Sequence, residues 1–179
     1  MTVLHIANAL GEKETPVIIG HSQKPRCFKN VQDEKRPCGT YSYANKKAWM
    51  DSELLEEILR TLNKKCATDY RKILLFIDNV PSHPQSFIDC FSQVFLPKDT
   101  TSKLQPLDAG IIKNFKVFYR KQLLQHVLAR IKPGCKTSDV IRNVDLLKSI
   151  GWVINAWGKV KKETIVICFS KCGFTEATL

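Results

Sequence analysis

Apolar and β-branched residues crowd the start of the chain. Thr2-Val3-Leu4-His5-Ile6-Ala7-Asn8 and Val17-Ile18-Ile19-Gly20 flank a polar turn at Gly11-Glu12-Lys13, which predicts an antiparallel hairpin. A basic loop through Lys24-Pro25-Arg26 and Asp33-Glu34-Lys35-Arg36-Pro37 leads to a short strand at Tyr41-Ser42-Tyr43-Ala44. Leu54, Leu55, Ile58, Leu59 and Leu62 then recur at helical spacing behind Asp51, a good N-cap. Residues 51–65 are therefore predicted to form an amphipathic helix. The unbroken run Ile73-Leu74-Leu75-Phe76-Ile77 reads as a strand buried on both faces, ending in the polar loop Asp78-Asn79-Val80-Pro81. Gln93-Val94-Phe95-Leu96 is a second short central strand, closed by Pro97.

Helical spacing dominates from Pro106 onward. One long pattern covers residues 107–131 and stops at Pro133-Gly134. Val140, Val144, Leu147, Ile150, Ile154 and Trp157 share one face of a second helix over 137–160. A short helix is expected over 162–171, although the β-branched run Thr164-Ile165-Val166-Ile167 suits a strand equally well. Strands and helices mixed, then a helical tail, define an α/β layer fold with a C-terminal helical part.

Composition narrows the partners. The chain has 179 residues, 44% hydrophobic and 25% charged, which is ordinary for one globular domain. Lys and Arg number 28 against 17 Asp and Glu, a formal charge of +11. That excess favours polyanions, nucleic acid first and an acidic membrane surface second. The longest apolar run is far short of the roughly 20 residues of a membrane span, and no secretory pattern opens the chain, so a soluble intracellular protein with no membrane partner is expected. Nothing points to a small-molecule substrate. The seven cysteines form no C-x-x-C pair, which fits buried, reduced thiols better than a disulfide framework or a zinc ribbon. The three tryptophans, Trp49, Trp152 and Trp157, are expected to pack in the core rather than stack on bases.

Two acids carry the candidate chemistry. Asp78 ends the buried strand, where ligands of open α/β sheets bind. It reads either as a metal ligand or as an Asx-turn residue capturing the amides of its own loop. Asp108 precedes Ile111, Ile112 and Phe115 by three, four and seven residues, which puts it on the apolar face of the long helix, aimed inward. If that helix packs across the sheet, the two carboxylates converge at one edge. Oxygen donors so arranged suit Mg²⁺ or Mn²⁺, and a pair of such ions promotes phosphodiester chemistry.

Several ordered motifs carry a likeness. Asp78-Asn79-Val80-Pro81-Ser82-His83-Pro84, Phe95-Leu96-Pro97, Thr100-Thr101-Ser102 and Gln105-Pro106-Leu107-Asp108, followed by Gly110-Ile111-Ile112, resemble the DDE superfamily endonuclease domain of the pogo/Tigger transposases and their jerky and centromere protein B relatives. Gly11-Glu12-Lys13, Lys24-Pro25-Arg26-Cys27-Phe28, Asn45-Lys46-Lys47-Ala48-Trp49-Met50, Ala156-Trp157, Cys168-Phe169 and Gly173-Phe174 extend the resemblance over nearly the whole chain. It implies an RNase H-like mixed sheet flanked by helices, nuclear location, and DNA cutting and joining by three acids and two Mg²⁺ or Mn²⁺ ions. Asp78 matches the second acid and Asp108 the third, with 29 residues (79–107) between them. Asn79 and His83 match the loop that supports the site, or serve that loop structurally.

The same resemblance marks departures. The family's first acid stands on a central strand ahead of the segment that begins here with Met1, and the nearest acids, Glu12 and Glu14, fall in the hairpin turn. Residues 1–131 are thus expected to be an RNase H-like domain lacking that strand, truncated at its N-terminus, and residues 132–179 its helical extension. Open sheet edges would then invite self-association or another protein. The helix-turn-helix region that precedes the family's catalytic domain has no counterpart, Lys98-Asp99 stands where Pro-Asn is usual, and Ala109 where Gln is usual.

A basic stripe completes the picture. Lys113, Lys116 and Arg120 fall at i, i+3 and i+7, opposite Ile111 and Phe115, and Lys98 and Lys103 precede them. They read as sequence-independent phosphate contacts or as a solvated helix face. Three functions follow: a DNA-binding, transposase-derived domain that has lost catalysis; an active metal-dependent endonuclease or transposase; or a protein-interaction module.

Overall fold

The N-terminal hairpin forms as its pattern predicts. In the computed structural model, which describes residues 1–22, 24–29, 31, 41–68, 72–78, 90–97 and 100–174, β1 (Thr2–Leu4) pairs antiparallel with β2 (Val17–Gly20), Val3 opposite Ile18. The strand ends sooner than its apolar density suggests, and Ala7 is held only by an isolated bridge to Lys13. Asn8 explains the early stop: its side-chain oxygen accepts from the Glu12 amide at 2.9 Å while its amide donates to the Glu12 carboxylate at 2.6 Å, an Asx-type closure that competes with the ladder. β3 (Tyr41–Ala44) adds to β2 in parallel, so the strand order is β1-β2-β3.

The described chain divides into two compact units, one of Met1–Ala48 with Pro106–Leu179 and one of Trp49–Gln105. In the second, α1 (Ser52–Thr68) starts where the Asp51 carboxylate accepts from the Leu54 amide at 3.0 Å, and it buries Leu55, Ile58, Leu59 and Cys66. β4 (Ile73–Ile77) and β5 (Phe91–Phe95) pair in parallel with Ile73 opposite Phe91 and Ile77 opposite Phe95. β4 is not buried on both faces, because Leu74 is exposed. Two-sided burial needs covering layers above and below the strand, and among the described residues this sheet has only two strands. The described strands form two sheets rather than one continuous sheet, and among them β1 and β3 are the edges of the larger. The short helix α2 (Thr101–Leu104) closes this unit.

The first unit is a helical layer under the hairpin. A π-helical turn (Leu107–Ile111) feeds α3 (Ile112–Leu128), which is followed by α4 (Thr137–Arg142), α5 (Leu146–Lys159) and α6 (Lys162–Lys171). The pattern over 137–160 breaks into two helices because Asp145 starts a new one, accepting from the Lys148 amide at 2.6 Å. The β-branched run at 164–167 is helical, with Ile165 fully buried. Ile18 and Phe28 join Ile111, Phe115, Ile150, Val153, Ala156, Trp157, Val160, Ile165 and Cys168 in one core. Among the described residues no helix is long and apolar enough to cross a membrane.

The hairpin turn and α5 are tied by polar contacts as well as by packing. The Lys13 ammonium donates to the carbonyls of Trp157 at 2.7 Å and Val160 at 2.6 Å, and lies 5.4 Å from the centre of the Trp157 ring. It thereby satisfies the carbonyls left open at the C-terminus of α5, where a cation is also favoured by the helix dipole. The Trp157 indole N–H returns a bond to the Glu14 carbonyl at 2.8 Å. Gly11 brings the turn this close: its φ is +81°, and a Cβ there would meet the Lys162 side chain at 2.5 Å and its carbonyl oxygen at 2.9 Å. Replacing Lys13 by Met keeps the aliphatic stem and removes the donors. It is expected to lower unfolding stability by about 2 kcal/mol, given what charged hydrogen bonds contribute, and a urea titration reads this directly.

His5 is the buried polar residue of this core. It is 7% exposed, its ring lies 4.4 Å from those of Phe115 and Trp157, and its Nδ1 is buried with no hydrogen-bond partner among the described residues. Burial lowers its pKa from 6.5 to about 4. The unfolded chain therefore takes up this proton at a higher pH than the folded one, so stability falls as pH drops from 6.5 toward 4. The loss approaches about 3 kcal/mol at the low end, from 1.36 kcal/mol per pKa unit. His5→Phe is expected to remove that part of the slope, as denaturant midpoints across this pH range will report.

Candidate functional site

Asp78 stands where β4 delivers it. The Leu96 amide donates to the Ile77 carbonyl at 2.9 Å, so the two parallel strands stay paired to their ends and Asp78, half-buried, leaves the sheet at its carboxyl edge. That placement agrees with the strand-end position expected of a ligand-binding acid in an open α/β sheet. Asn79, His83, Lys98 and Asp99, which the sequence grouped with it, lie outside the described residues.

Asp108 differs from its expected orientation. It is exposed, whereas Ile111 and Phe115, three and seven residues on, are buried. The offsets that put it on the apolar face assume 3.6 residues per turn. Residues 107–111 instead form a π-helical turn in which Gly110 departs from helical geometry at φ 165°, ψ −20°. The wider turn rotates everything before Ile111 relative to α3, and Asp108 swings to the solvent side. Packing fixes this turn: a Cβ on Gly110 would meet the Cys168 sulfur of α6 at 3.0 Å. Single π turns of this kind recur at functional sites.

Asp78 belongs to the unit of Trp49–Gln105 and Asp108 to the unit that resumes at Pro106. Carboxylates are the right donor chemistry for Mg²⁺ or Mn²⁺. Among the described residues, however, no group of three or more His, Cys, Asp or Glu is arranged to hold a metal ion. Glu12 is bonded to Asn8 within the hairpin turn, which accounts for its carboxylate structurally.

The basic stripe is on the surface. Lys113, Lys116 and Arg120 are all exposed on α3, on the side away from buried Ile111 and Phe115, as their spacing predicts. Lys103 is exposed on α2, in the other unit. Trp49 is 69% exposed, against the expectation that it would be core, whereas Trp157 is buried and Trp152 is half-buried. The residues just before it are polar or small (Lys46, Lys47, Ala48), and no helical or strand periodicity there gives it an inward face.

One concave feature escaped the sequence. A cleft of about 420 Å³ is lined by His126, Arg130, Cys135, Val140, Asn143, Asp145 and Lys148. The Arg130 guanidinium lies 2.7 Å from the Nδ1 of His126, and the Lys148 ammonium sits 5.8 Å from the Trp152 ring centre. Desolvation first, then the charges of Arg130 and Lys148, lower the His126 pKa, with Asp145 opposing them. The lining residues come from the end of α3, from α4 and from the start of α5, so no local motif announces the cleft. Neither Asp78 nor Asp108 lines it.

Comparison with known proteins agrees with the motifs. The family described as DDE superfamily endonuclease matches residues 1–169. The mouse Tigger transposable element-derived protein 4 is 28% identical over 93% of this chain and 31% of its own length. CENP-B homolog protein 2 of Schizosaccharomyces pombe is 27% identical over 97% of this chain and 35% of its own. ARS-binding protein 1 of the same yeast is 27% identical over 88% of this chain and 31% of its own. The chain thus spans about a third of the length of these relatives. No solved structure matches. Matched by that family along almost its whole length, the chain belongs to the family described as DDE superfamily endonuclease.

Proposed function

We propose that this chain is a transposase-derived, nuclear DNA-binding module that does not cut DNA on its own. The observation that carries DNA binding is the exposed stripe of Lys113, Lys116 and Arg120 on α3, on a chain of net charge +11. Three cations on one face of a rigid 17-residue helix match a row of phosphates and carry no base-reading geometry. Lys98 and Lys103, which precede α3 in sequence, are proposed as further phosphate contacts. The name of one relative, ARS-binding protein 1, fits the reading.

For the acids, the proposal assigns the second and third positions of the family's triad to Asp78 and Asp108, with Asn79 and His83 supporting them. Asp78 and Asp108 would hold Mg²⁺ or Mn²⁺, and such ions supply Lewis-acid activation of an attacking oxygen when bound. An RNase H-like arrangement over residues 1–131, with 132–179 as a helical extension, belongs to the same proposal.

Binding to duplex DNA, followed by fluorescence anisotropy, is expected to weaken steeply with salt. The triple substitution Lys113→Gln, Lys116→Gln and Arg120→Gln should reduce the slope of log affinity against log salt by about 3, at roughly 0.9 per phosphate contact. An unchanged slope would remove the stripe from the interface.

Supercoiled plasmid incubated with the chain and Mg²⁺ or Mn²⁺ is expected to stay supercoiled. Nicking that Asp78→Asn abolishes would replace the inactive reading with an active endonuclease.

A further inference from the structure

The outer face of α3 carries more than cations. Val117, Leu124 and Leu128 are 57%, 58% and 66% exposed. At about 100° per residue these three fall within an arc of roughly 40° on the helix, so they form one strip about 16 Å long. Lys121 borders the strip on one side, and Lys116, Arg120 and Lys113 border it on the other, all of them exposed. Large exposed aliphatic side chains in a row mark interaction surfaces, and phosphates have no use for them. Val117, Leu124 and Leu128 fall at d, d and a of a heptad pattern whose intervening a position is Lys121, the spacing at which one helix receives another.

Charge selects the occupant. A second copy laid on this seam would bring Arg120, Lys121 and Lys113 against their own counterparts, on chains that each carry +11, and like charges across an interface are strongly disfavoured. A helix with aliphatic residues on its seam and Glu or Asp beside them meets both features at once. We propose that the outer face of α3 is a docking site for an acidic amphipathic helix of a partner protein, seated on Val117, Leu124 and Leu128 and flanked by Lys113, Arg120 and Lys121. The inference goes beyond DNA binding and has a consequence for it. The docked helix shares its cations with the phosphate stripe, so helix and DNA exclude one another.

The test uses the full chain and a fluorescein-labelled synthetic peptide of about 21 residues, three heptads, with Leu and Ile at a and d and Glu at e and g. The peptide is expected to bind, and Leu124→Ser with Leu128→Ser should weaken it at least about tenfold, a loss of about 1.4 kcal/mol. Because both side chains are exposed, the double variant should keep its thermal midpoint and its affinity for DNA. The peptide should displace labelled DNA from the unaltered chain, and a version with Lys at e and g should do neither. Equal binding of a scrambled peptide of the same composition, or equal binding by the double variant, would overturn the proposal, since attraction would then be charge alone. So would sedimentation showing a dimer of the chain that Leu124→Ser and Leu128→Ser dissolve, because the seam would then be occupied by a second copy.

Discussion

The first unit depends on how Trp157 is held. Its ring is wedged against His5 and Phe115, its N–H donates to the Glu14 carbonyl in the hairpin turn, and its carbonyl accepts a hydrogen bond from Lys13. The two hydrogen bonds join residues 143 and 144 positions apart. Without them the hairpin would be a two-stranded ribbon with one parallel neighbour, and such ribbons are marginal in water. With them, the apolar face of β2 and the buried stripe of α5 close on one core. His5 shows which force decides there. Leaving its Nδ1 unpaired is unfavourable, yet the ring still sits between two aromatic faces, and its proton is given up to keep it there.

Regular elements with a complete local signal were legible in the sequence. The bounds of β4 match the five-residue apolar run, and α1 begins behind Asp51 as its capping chemistry requires. The hairpin register follows from two apolar runs and a polar turn. What was not legible depends on deviations from ideal periodicity or on contacts distant in sequence. A π turn leaves the residue order unchanged and alters only how far each residue rotates, so the inward orientation of Asp108 was inferred from the wrong pitch. The helix predicted over 137–160 ignored the capping strength of Asp145, which outweighed the continuing apolar stripe. The burial of β4 depended on layers that an apolar run by itself does not supply.

The candidate site was legible to a similar degree. Both acids were singled out by type and by position, one at a strand end and one in the first turn of a helical segment. Their membership of different compact units leaves no trace in the linear spacing. The exposed row on α3 was half visible: its cations follow a simple i, i+3, i+7 rule, whereas Val117, Leu124 and Leu128 look like core residues until the opposite face is seen to be the buried one. Family membership rests instead on motif order, which survives at 28% identity because it reflects chemistry and turns rather than overall composition.

The order of synthesis gives the discontinuous first unit a further consequence. β1 and β2 are synthesised well before the surface that receives them, which lies around Trp157. At about 5–20 residues per second, roughly 10 to 30 s pass before that surface exists. During that interval the segment of Trp49–Gln105 is complete while the nascent β-ribbon has nothing to fold against. Its strands are then open to chaperones, or to neighbouring nascent chains, until α5 has been made.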